Sequence, residues 1–147
     1  GEVNVVTKMK ETNTVIGGEG NGGVIYPESH YGRDALVGVG LFLSHFVAEG
    51  KSMTALKATY PQYFISKNKL TLSPDMDVDK ILEGLKKKYA SEEITDIDGV
   101  KIDFKDGWVH LRKSNTEPII RIYSESKDEA AANQLAEEVI KVAQSLY

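Results

Sequence analysis

The spacing of apolar residues predicts short helices and strands in the first part of the chain. Apolar side chains three to four positions apart predict a helix over residues 2–11. Residues 14–16 (Thr-Val-Ile) predict a short strand that enters a glycine-rich segment, Gly17–Gly23, and residues 24–26 predict a second strand.

The next predicted helix begins at Asp34, a residue type that caps helix N-termini. Both faces of this helix are apolar, so it is predicted to be largely buried. A short helix over residues 52–60 follows and ends before Pro61. These elements bury little surface by themselves. Residues 1–59 are therefore interpreted as the end of a larger α/β domain, frayed or partly disordered when isolated.

From residue 60 onward the pattern predicts a complete domain. Residues 63–72 predict a strand interrupted by the polar run 66–69. Asp75 or Asp77 is predicted to cap a helix. The apolar stripe of this helix comprises Val78, Ile81, Leu82, Leu85 and Tyr89.

A β-meander and a last helix complete the pattern. The dipeptides Asp98-Gly99 and Asp106-Gly107 are typical of two-residue hairpin turns. Asp98-Gly99 precedes a predicted strand over residues 100–105, and Asp106-Gly107 separates it from a second strand over residues 108–111. A third strand over residues 119–124 follows the polar segment that begins at Arg112. A capping box at Ser126–Glu129 opens a helix whose buried stripe is predicted to comprise Leu135, Val139, Val142 and Leu146. Residues 60–147 are thus predicted to form an α+β domain of about four antiparallel strands with two helices on one face.

Composition excludes several classes of function. Eighteen basic and 22 acidic residues argue against a dominant nucleic-acid-binding face. The absence of cysteine excludes disulfides, thiolate metal sites and cysteine nucleophiles, and is compatible with the cytoplasm. No run approaches the about 20 apolar residues needed to cross a membrane. The first residue is Gly1 and not methionine, which favours a processed chain or a part of a longer sequence.

Candidate chemistry concentrates in two polar segments. Arg112 and Arg121 bracket Ser114, Asn115 and Thr116, and planar guanidinium groups suit phosphate oxygens. Small hydroxyl and amide side chains, together with backbone amides in a tight turn, add donors for an anion. The same residues are ordinary turn formers, so a plain loop between strands is the alternative.

The glycine-rich segment Gly17–Gly23 permits close approach of a ligand. Glu19 and Asn21 are its long polar side chains, and together they can accept from and donate to the vicinal hydroxyls of a sugar. The segment lacks a Walker lysine and dinucleotide spacing, so a nucleotide cradle is disfavoured. His30 and Arg33 lie just after it and are predicted to line the same cleft.

Both segments resemble loops of one enzyme family, the α-D-phosphohexomutases (phosphomannomutase/phosphoglucomutase). Arg112–Pro118 resembles the family's phosphate-binding loop, and Gly17–Gly23 resembles its sugar-binding loop. The resemblance covers essentially the whole chain. It implies that residues 1–59 end the family's third domain and that residues 60–147 form its fourth, which has a TATA-binding-protein-like fold. One departure is Gly23, where some members have a histidine proposed to move protons.

The resemblance implies a cytoplasmic isomerase that moves phosphate between the 1- and 6-hydroxyls of a hexose. A phosphoserine, magnesium and a hexose 1,6-bisphosphate take part in that cycle. By the match, Glu19 and Asn21 contact the sugar, and Arg112, Ser114, Asn115 and Thr116, with Arg121, bind the distal phosphate. No phosphoserine motif or Asp-Gly-Asp metal loop occurs here. The catalytic residues and the magnesium site are therefore expected in N-terminal domains of the same enzyme, and this chain alone is expected to be inactive.

Three alternatives remain. One is a sugar-phosphate-binding module without catalysis, and a second is a phosphoglucosamine mutase. A third is a nucleic-acid or protein interaction domain that uses an open sheet face, which the acidic balance disfavours.

Overall fold

The computed structural model describes residues 1–73, 76–114 and 116–146 of the chain. These residues divide into two compact units, Gly1–Pro61 and Gln62–Tyr147. None of the helices formed by the described residues has the length and apolar character needed to span a bilayer.

The first unit joins a small antiparallel sheet to three helices. Its elements are α1 (Glu2–Thr12), β1 (Gly17–Gly18), β2 (Val24–Tyr26), β3 (His30–Arg33), α2 (Ala35–Glu49) and α3 (Met53–Lys57), and the strand order is β1-β2-β3. The predictions of α1, β2 and the Asp34 cap are confirmed, because the Asp34 carboxylate accepts from the Val37 amide at 2.9 Å.

Two predictions in the first unit are wrong. Residues 14–16 form no strand; the strand is Gly17–Gly18, whose backbone pairs with Ile25 and Val24, while the Val15 side chain is exposed. Within the described chain no residue of α2 is buried, and Leu36 is 85% exposed. The main contacts of the helix are with β2 and α3, and Val39, Leu43 and Val47 are also exposed.

The second unit is a five-stranded antiparallel sheet with two helices. Its elements are β4 (Phe64–Thr71), α4 (Val78–Lys88), β5 (Glu93–Thr95), β6 (Val100–Phe104), β7 (Gly107–Lys113), β8 (Ile119–Ser126) and α5 (Glu129–Gln144), in strand order β4-β8-β7-β6-β5. The predicted α+β class is confirmed. The strand count needs correction, because the three-residue β5 was missed; its central Ile94 pairs with Ile102.

One face of this sheet packs on α4 and α5 and forms the core. The core comprises Leu70, Val78, Ile81, Leu85, Val109, Leu111, Ile120, Ile122, Val139 and Ala143. Burying such side chains contributes roughly 1.5–3 kcal/mol each before the entropy of ordering is subtracted. The side chains between the core positions point to the opposite side of the sheet, which we call the open face.

Local details in the second unit differ from the predictions. β4 is continuous, because its polar run pairs residue by residue with β8. The β6–β7 turn is Lys105-Asp106, since Phe104 pairs with Gly107, and Asp98-Gly99 lies in a four-residue connection between β5 and β6.

The last helix also begins differently from the prediction. Asp128, and not Ser126, caps α5, since the Asp128 carboxylate accepts from the Ala131 amide at 2.8 Å. Ser126 ends β8 and donates to the Asp106 carbonyl. The buried stripe of α5 is Ala132, Ala136, Val139 and Ala143. Of the predicted stripe only Val139 is fully buried, because small side chains allow the closest approach to the sheet. The cap of α4 is Asp77; Asp75 lies outside the described residues.

Candidate functional site

The β7–β8 hairpin places two arginines opposite each other. Arg112 on β7 and Arg121 on β8 are cross-strand partners, so both side chains lie on the open face. Directly opposed like charges destabilise a sheet. A strand pair that keeps two guanidinium groups in this position is suited to an anion that neutralises both.

Each arginine is held by a carboxylate. Arg112 Nε lies 3.1 Å from Asp98 Oδ1, and an Arg121 terminal nitrogen lies 3.4 Å from Glu117 Oε2. Both arginine side chains are close to half exposed. Exposed ion pairs of this kind contribute about 0–1 kcal/mol, so a phosphate can compete with either carboxylate. Asp98, which comes from the connection between β5 and β6, was not among the site residues predicted from the sequence.

The loop between the strands is closed by its own backbone. The Ser114 amide donates to the Ile119 carbonyl at 3.0 Å, and the Ile119 amide donates to the Glu117 carbonyl at 2.8 Å. The Thr116 amide has a long contact, 3.4 Å, with Ser114 Oγ. The Ser114 amide is therefore used inside the hairpin, and the hydroxyls of Ser114 and Thr116, 3.4 Å apart, are the clearer donors for a ligand.

These side chains line one cavity of about 210 Å³. Its lining residues are Arg112, Lys113, Ser114, Thr116 and Arg121. Asn115, also predicted here, lies outside the described residues. Lys113 was not predicted, because strand alternation points it to the other face; its position at the end of β7 still lets it reach the cavity. Three cations and two hydroxyls suit a doubly charged phosphate ester.

The glycine-rich loop of the first unit is folded tightly on itself. The Glu19 amide donates to the Gly23 carbonyl at 3.1 Å, and the Gly22 amide donates to the Glu19 carbonyl at 3.0 Å. The Asn21 side chain accepts from the Gly23 amide at 2.9 Å. The Asn21 carboxamide also lies 3.4 Å from Glu19 Oε2, so the two predicted sugar contacts are neighbours.

Arg33 lies beside this loop. Its guanidinium is 2.8 Å from Glu2 Oε2 and 3.5 Å from Glu19 Oε2. A Cβ atom added to Gly23 would lie 2.7 Å from Arg33 Cδ, so glycine at this position is what allows Arg33 to pack here. A cavity of about 590 Å³ adjoins the loop, lined by Asn21, Gly22, Gly23, Val24, Arg33, Asp34 and Ala35.

His30 is not among the residues that line this cavity. Its Nε2–H donates to Asp34 Oδ2 at 3.1 Å, and its Nδ1 accepts from the Gly32 amide at 2.9 Å. The hydrogen bond from the Val37 amide, and then that from His30, lower the pKa of the Asp34 carboxyl. Both ring nitrogens of His30 are thus engaged within the fold, and its contact with a ligand stays a prediction.

The described residues do not bring together three His, Cys, Asp or Glu side chains that could hold a metal ion. We therefore assign no magnesium ligand in residues 1–73, 76–114 and 116–146.

Models of two protein domains match the sequence. Residues 1–63 match the phosphoglucomutase/phosphomannomutase alpha/beta/alpha domain III, and residues 69–142 match the C-terminal domain of the same family. A solved structure of a phosphoglucomutase/phosphomannomutase family protein from Burkholderia thailandensis is similar over 98% of this chain and 31% of that one, with a TM-score of 0.71 and 26% identity.

Curated relatives agree with these matches. A phosphoglucosamine/phosphogalactosamine mutase of Sulfurisphaera tokodaii is 39% identical over 97% of this chain and 32% of its own length. A phosphoglucomutase/phosphomannomutase of Thermococcus kodakarensis is 40% identical over 97% of this chain and 31% of its own length. The chain thus spans about a third of the length of these relatives. On this evidence the chain belongs to the phosphoglucomutase/phosphomannomutase family and corresponds to its C-terminal portion.

Proposed function

We propose that this chain supplies the sugar and distal-phosphate contacts of a phosphohexomutase, an isomerase that interconverts hexose 1-phosphate and hexose 6-phosphate. The observation that carries the proposal is the cross-strand pair Arg112–Arg121, which lines one cavity with Ser114 and Thr116. Family membership supports the class of reaction. The activity and partners of the whole protein are part of the proposal.

In this mechanism the arginine pair binds the phosphate that is not being transferred. The hexose has to bind in two orientations, because each end reacts in turn. The phosphate site therefore needs positive charge and hydrogen-bond donors that recognise the phosphate group. It needs little selectivity for the part of the sugar to which the phosphate is attached. Arg112 and Arg121 neutralise the phosphate from two strands, while the hydroxyls of Ser114 and Thr116 donate to its oxygens.

The glycine-rich loop recognises the sugar hydroxyls. The Glu19 carboxylate accepts hydrogen bonds from vicinal hydroxyls, and the neighbouring Asn21 carboxamide supplies a second polar contact to the sugar. Arg33 holds the Glu19 carboxylate in place. The side chain of Glu19 is only 17% exposed, so its orientation is well restrained. Gly23 has no titratable group, and we assign no proton transfer to this position.

The bond-making steps are assigned to other parts of the enzyme. A phosphoserine that donates and regains phosphate, a magnesium ion and a bisphosphorylated sugar intermediate belong to the proposed cycle. No residue of this chain is given a role in them. We accordingly expect no turnover from residues 1–147 alone, whereas a non-catalytic binding module would stay inactive in its full length as well.

The identity of the sugar has two candidates. The phosphate of a hexose without an amino group fits the loop through hydroxyl contacts. The relative from Sulfurisphaera tokodaii, named as a phosphoglucosamine/phosphogalactosamine mutase, supports an amino sugar phosphate as the alternative. Parallel titrations with glucose 6-phosphate and glucosamine 6-phosphate distinguish them by affinity.

The proposal is tested by following backbone amide chemical shifts of the 147-residue chain during titration with glucose 6-phosphate and, separately, with glucose. We expect saturable shifts at Ser114 and Thr116 with the ester and none there with glucose, because the phosphate supplies most of the interaction. Equal responses to both sugars, or no response at these two residues, would contradict it.

A further inference from the structure

A second group of cations lies on the open face next to the arginine pair. Lys69 on β4 is the cross-strand partner of Arg121, so Lys69, Arg121 and Arg112 form one row across three adjacent strands. With neighbouring strands about 4.8 Å apart, the row spans about 10 Å. Lys67 faces the same side two residues earlier, opposite Tyr123.

These lysines differ from the other cations of the open face. Arg112, Arg121 and Lys101 each pair with a carboxylate. Within residues 1–73, 76–114 and 116–146, by contrast, neither Lys67 nor Lys69 has an acidic partner within ion-pair distance. The Lys67 ammonium instead lies 5.7 Å from the centre of the Tyr123 ring. Their positive charge is therefore available to an anion from solution.

A cavity of about 330 Å³ is formed at this point. It is lined by Lys67, Asn68, Lys69, Glu117, Ile119, Arg121 and Tyr123. Three cations face one carboxylate, so the lining carries a net positive charge. Its volume is within the range of small-molecule sites, and Tyr123 and Ile119 provide an apolar surface. This combination suits an organic phosphate with a flat, apolar portion.

We propose that the Lys67–Lys69–Tyr123 cavity is a second binding site, for a small organic phosphate, that shares Arg121 with the phosphate loop. The lysines contact the phosphate, and Tyr123 packs against the organic part. Arg121 lines both cavities. One guanidinium group cannot serve two phosphates fully, so occupancy of the second site weakens binding at the first. The existence of the site does not depend on the proposed function, whereas the coupling does.

The test is an amide chemical-shift titration of the 147-residue chain with phenyl phosphate at constant ionic strength. We expect two groups of saturable shifts, one around Lys67, Lys69 and Tyr123 and one at Ser114 and Thr116. In the double variant Lys67→Gln/Lys69→Gln, we expect the affinity reported by the first group of shifts to fall about tenfold and the affinity reported by the second group not to fall.

Two further variants separate the sites. Arg112→Gln is expected to lower only the affinity for phenyl phosphate that the Ser114 and Thr116 shifts report. Arg121→Gln is expected to lower the affinity reported by both groups of shifts. Both lysines are exposed, so the double variant keeps the fold, which its amide spectrum verifies. The second site would be overturned if no shifts appear near the lysines, or if sodium chloride produces the same shifts. It would also be overturned if the double variant shows these shifts unchanged. Loss of only the Ser114 and Thr116 group would overturn the proposed function and leave this inference standing.

Discussion

At the scale of single residues, the site depends on where β-sheet register places Arg112 and Arg121. The two residues are nine positions apart in sequence, yet they are direct partners in the sheet. Both side chains are about half exposed, and each arginine forms an ion pair with a carboxylate that a phosphate could replace. Cross-strand pairing therefore fixes the positions of the two arginines relative to each other. Their partly exposed ion pairs allow a phosphate to replace the carboxylates.

Replacing Arg112 tests this assignment. Arg112→Gln removes a charged donor from the phosphate site, and hydrogen bonds to charged groups contribute about 1.5–3 kcal/mol. We expect the affinity for glucose 6-phosphate, measured by calorimetric titration, to fall about tenfold to a hundredfold. Lys87→Gln is the matched control, because it removes one exposed positive charge from α4. Equal losses in both variants would mean that only net charge matters.

Gly99 is the second residue on which the site depends. Its φ angle is +80°, and an added Cβ would lie 2.1 Å from the Leu111 carbonyl oxygen and 3.0 Å from Arg112 Cα. Gly99→Ala is expected to lower the free energy of unfolding of the second unit by at least about 2 kcal/mol in urea titrations. It also moves the neighbouring Asp98 away from Arg112.

A glycine without these constraints provides the control for that variant. Gly40→Ala lies within α2, with no atom near the added Cβ, and is expected to be neutral or slightly stabilising. If Gly99→Ala is as stable as the parent chain, the described connection between β5 and β6 is incorrect.

Single residues also show which parts of the candidate site could be predicted from the sequence. Its pattern predicted the arginines, the hydroxyls and the paired Glu19 and Asn21, because these residue types occur together in short segments. It could not predict Asp98 as the partner of Arg112, since that contact depends on the register between β6 and β7. Nor could it show that both His30 nitrogens bond inside the fold, because those bonds depend on the local turn.

At the scale of elements, long periodic segments were predicted well and short ones poorly. α4 and β8 carry clear apolar periods, and both were found. β5 has three residues, too few to show alternation, and is defined only by pairing with β6. The β1 backbone pairs through two glycines, which carry no side-chain signal at all.

The start of α5 shows why the capping box predicted at Ser126–Glu129 is not formed. The sequence predicted Ser126 as the cap, but Ser126 is the last residue of β8, and Asp128 caps the helix instead. Asp128→Ala is expected to destabilise the second unit by about 1 kcal/mol in thermal or urea unfolding. Asp128→Asn keeps the acceptor for the Ala131 amide and is expected to change stability by only a few tenths of that amount. An Asp128→Ala variant as stable as the parent chain would contradict the assignment of Asp128 as the cap.

At the scale of the whole chain, the two units differ in how much apolar surface they cover. The second unit has a contiguous core between sheet and helices. In the first unit, as the structure describes it, α2 exposes Leu36, Val39 and Val47. Intrinsic helix propensity alone stabilises such a segment only marginally.

Hydrogen exchange measures this difference directly. We expect amides of β8, such as those of Ile120 and Ile122, to exchange through the opening of the whole second unit. Amides of α2 are expected to exchange at least a hundredfold faster, because a helix without buried residues opens locally at little cost. Equal protection of α2 and β8 would show that α2 is covered in solution.

The central claim is that Arg112 and Arg121 together bind the phosphate of a hexose ester. A crystal structure of the chain with saturating glucose 6-phosphate tests it most directly. The account predicts phosphate oxygens within about 3 Å of both guanidinium groups and of the Ser114 and Thr116 hydroxyls. A bound ester elsewhere, with both arginines still paired to Asp98 and Glu117, would contradict it.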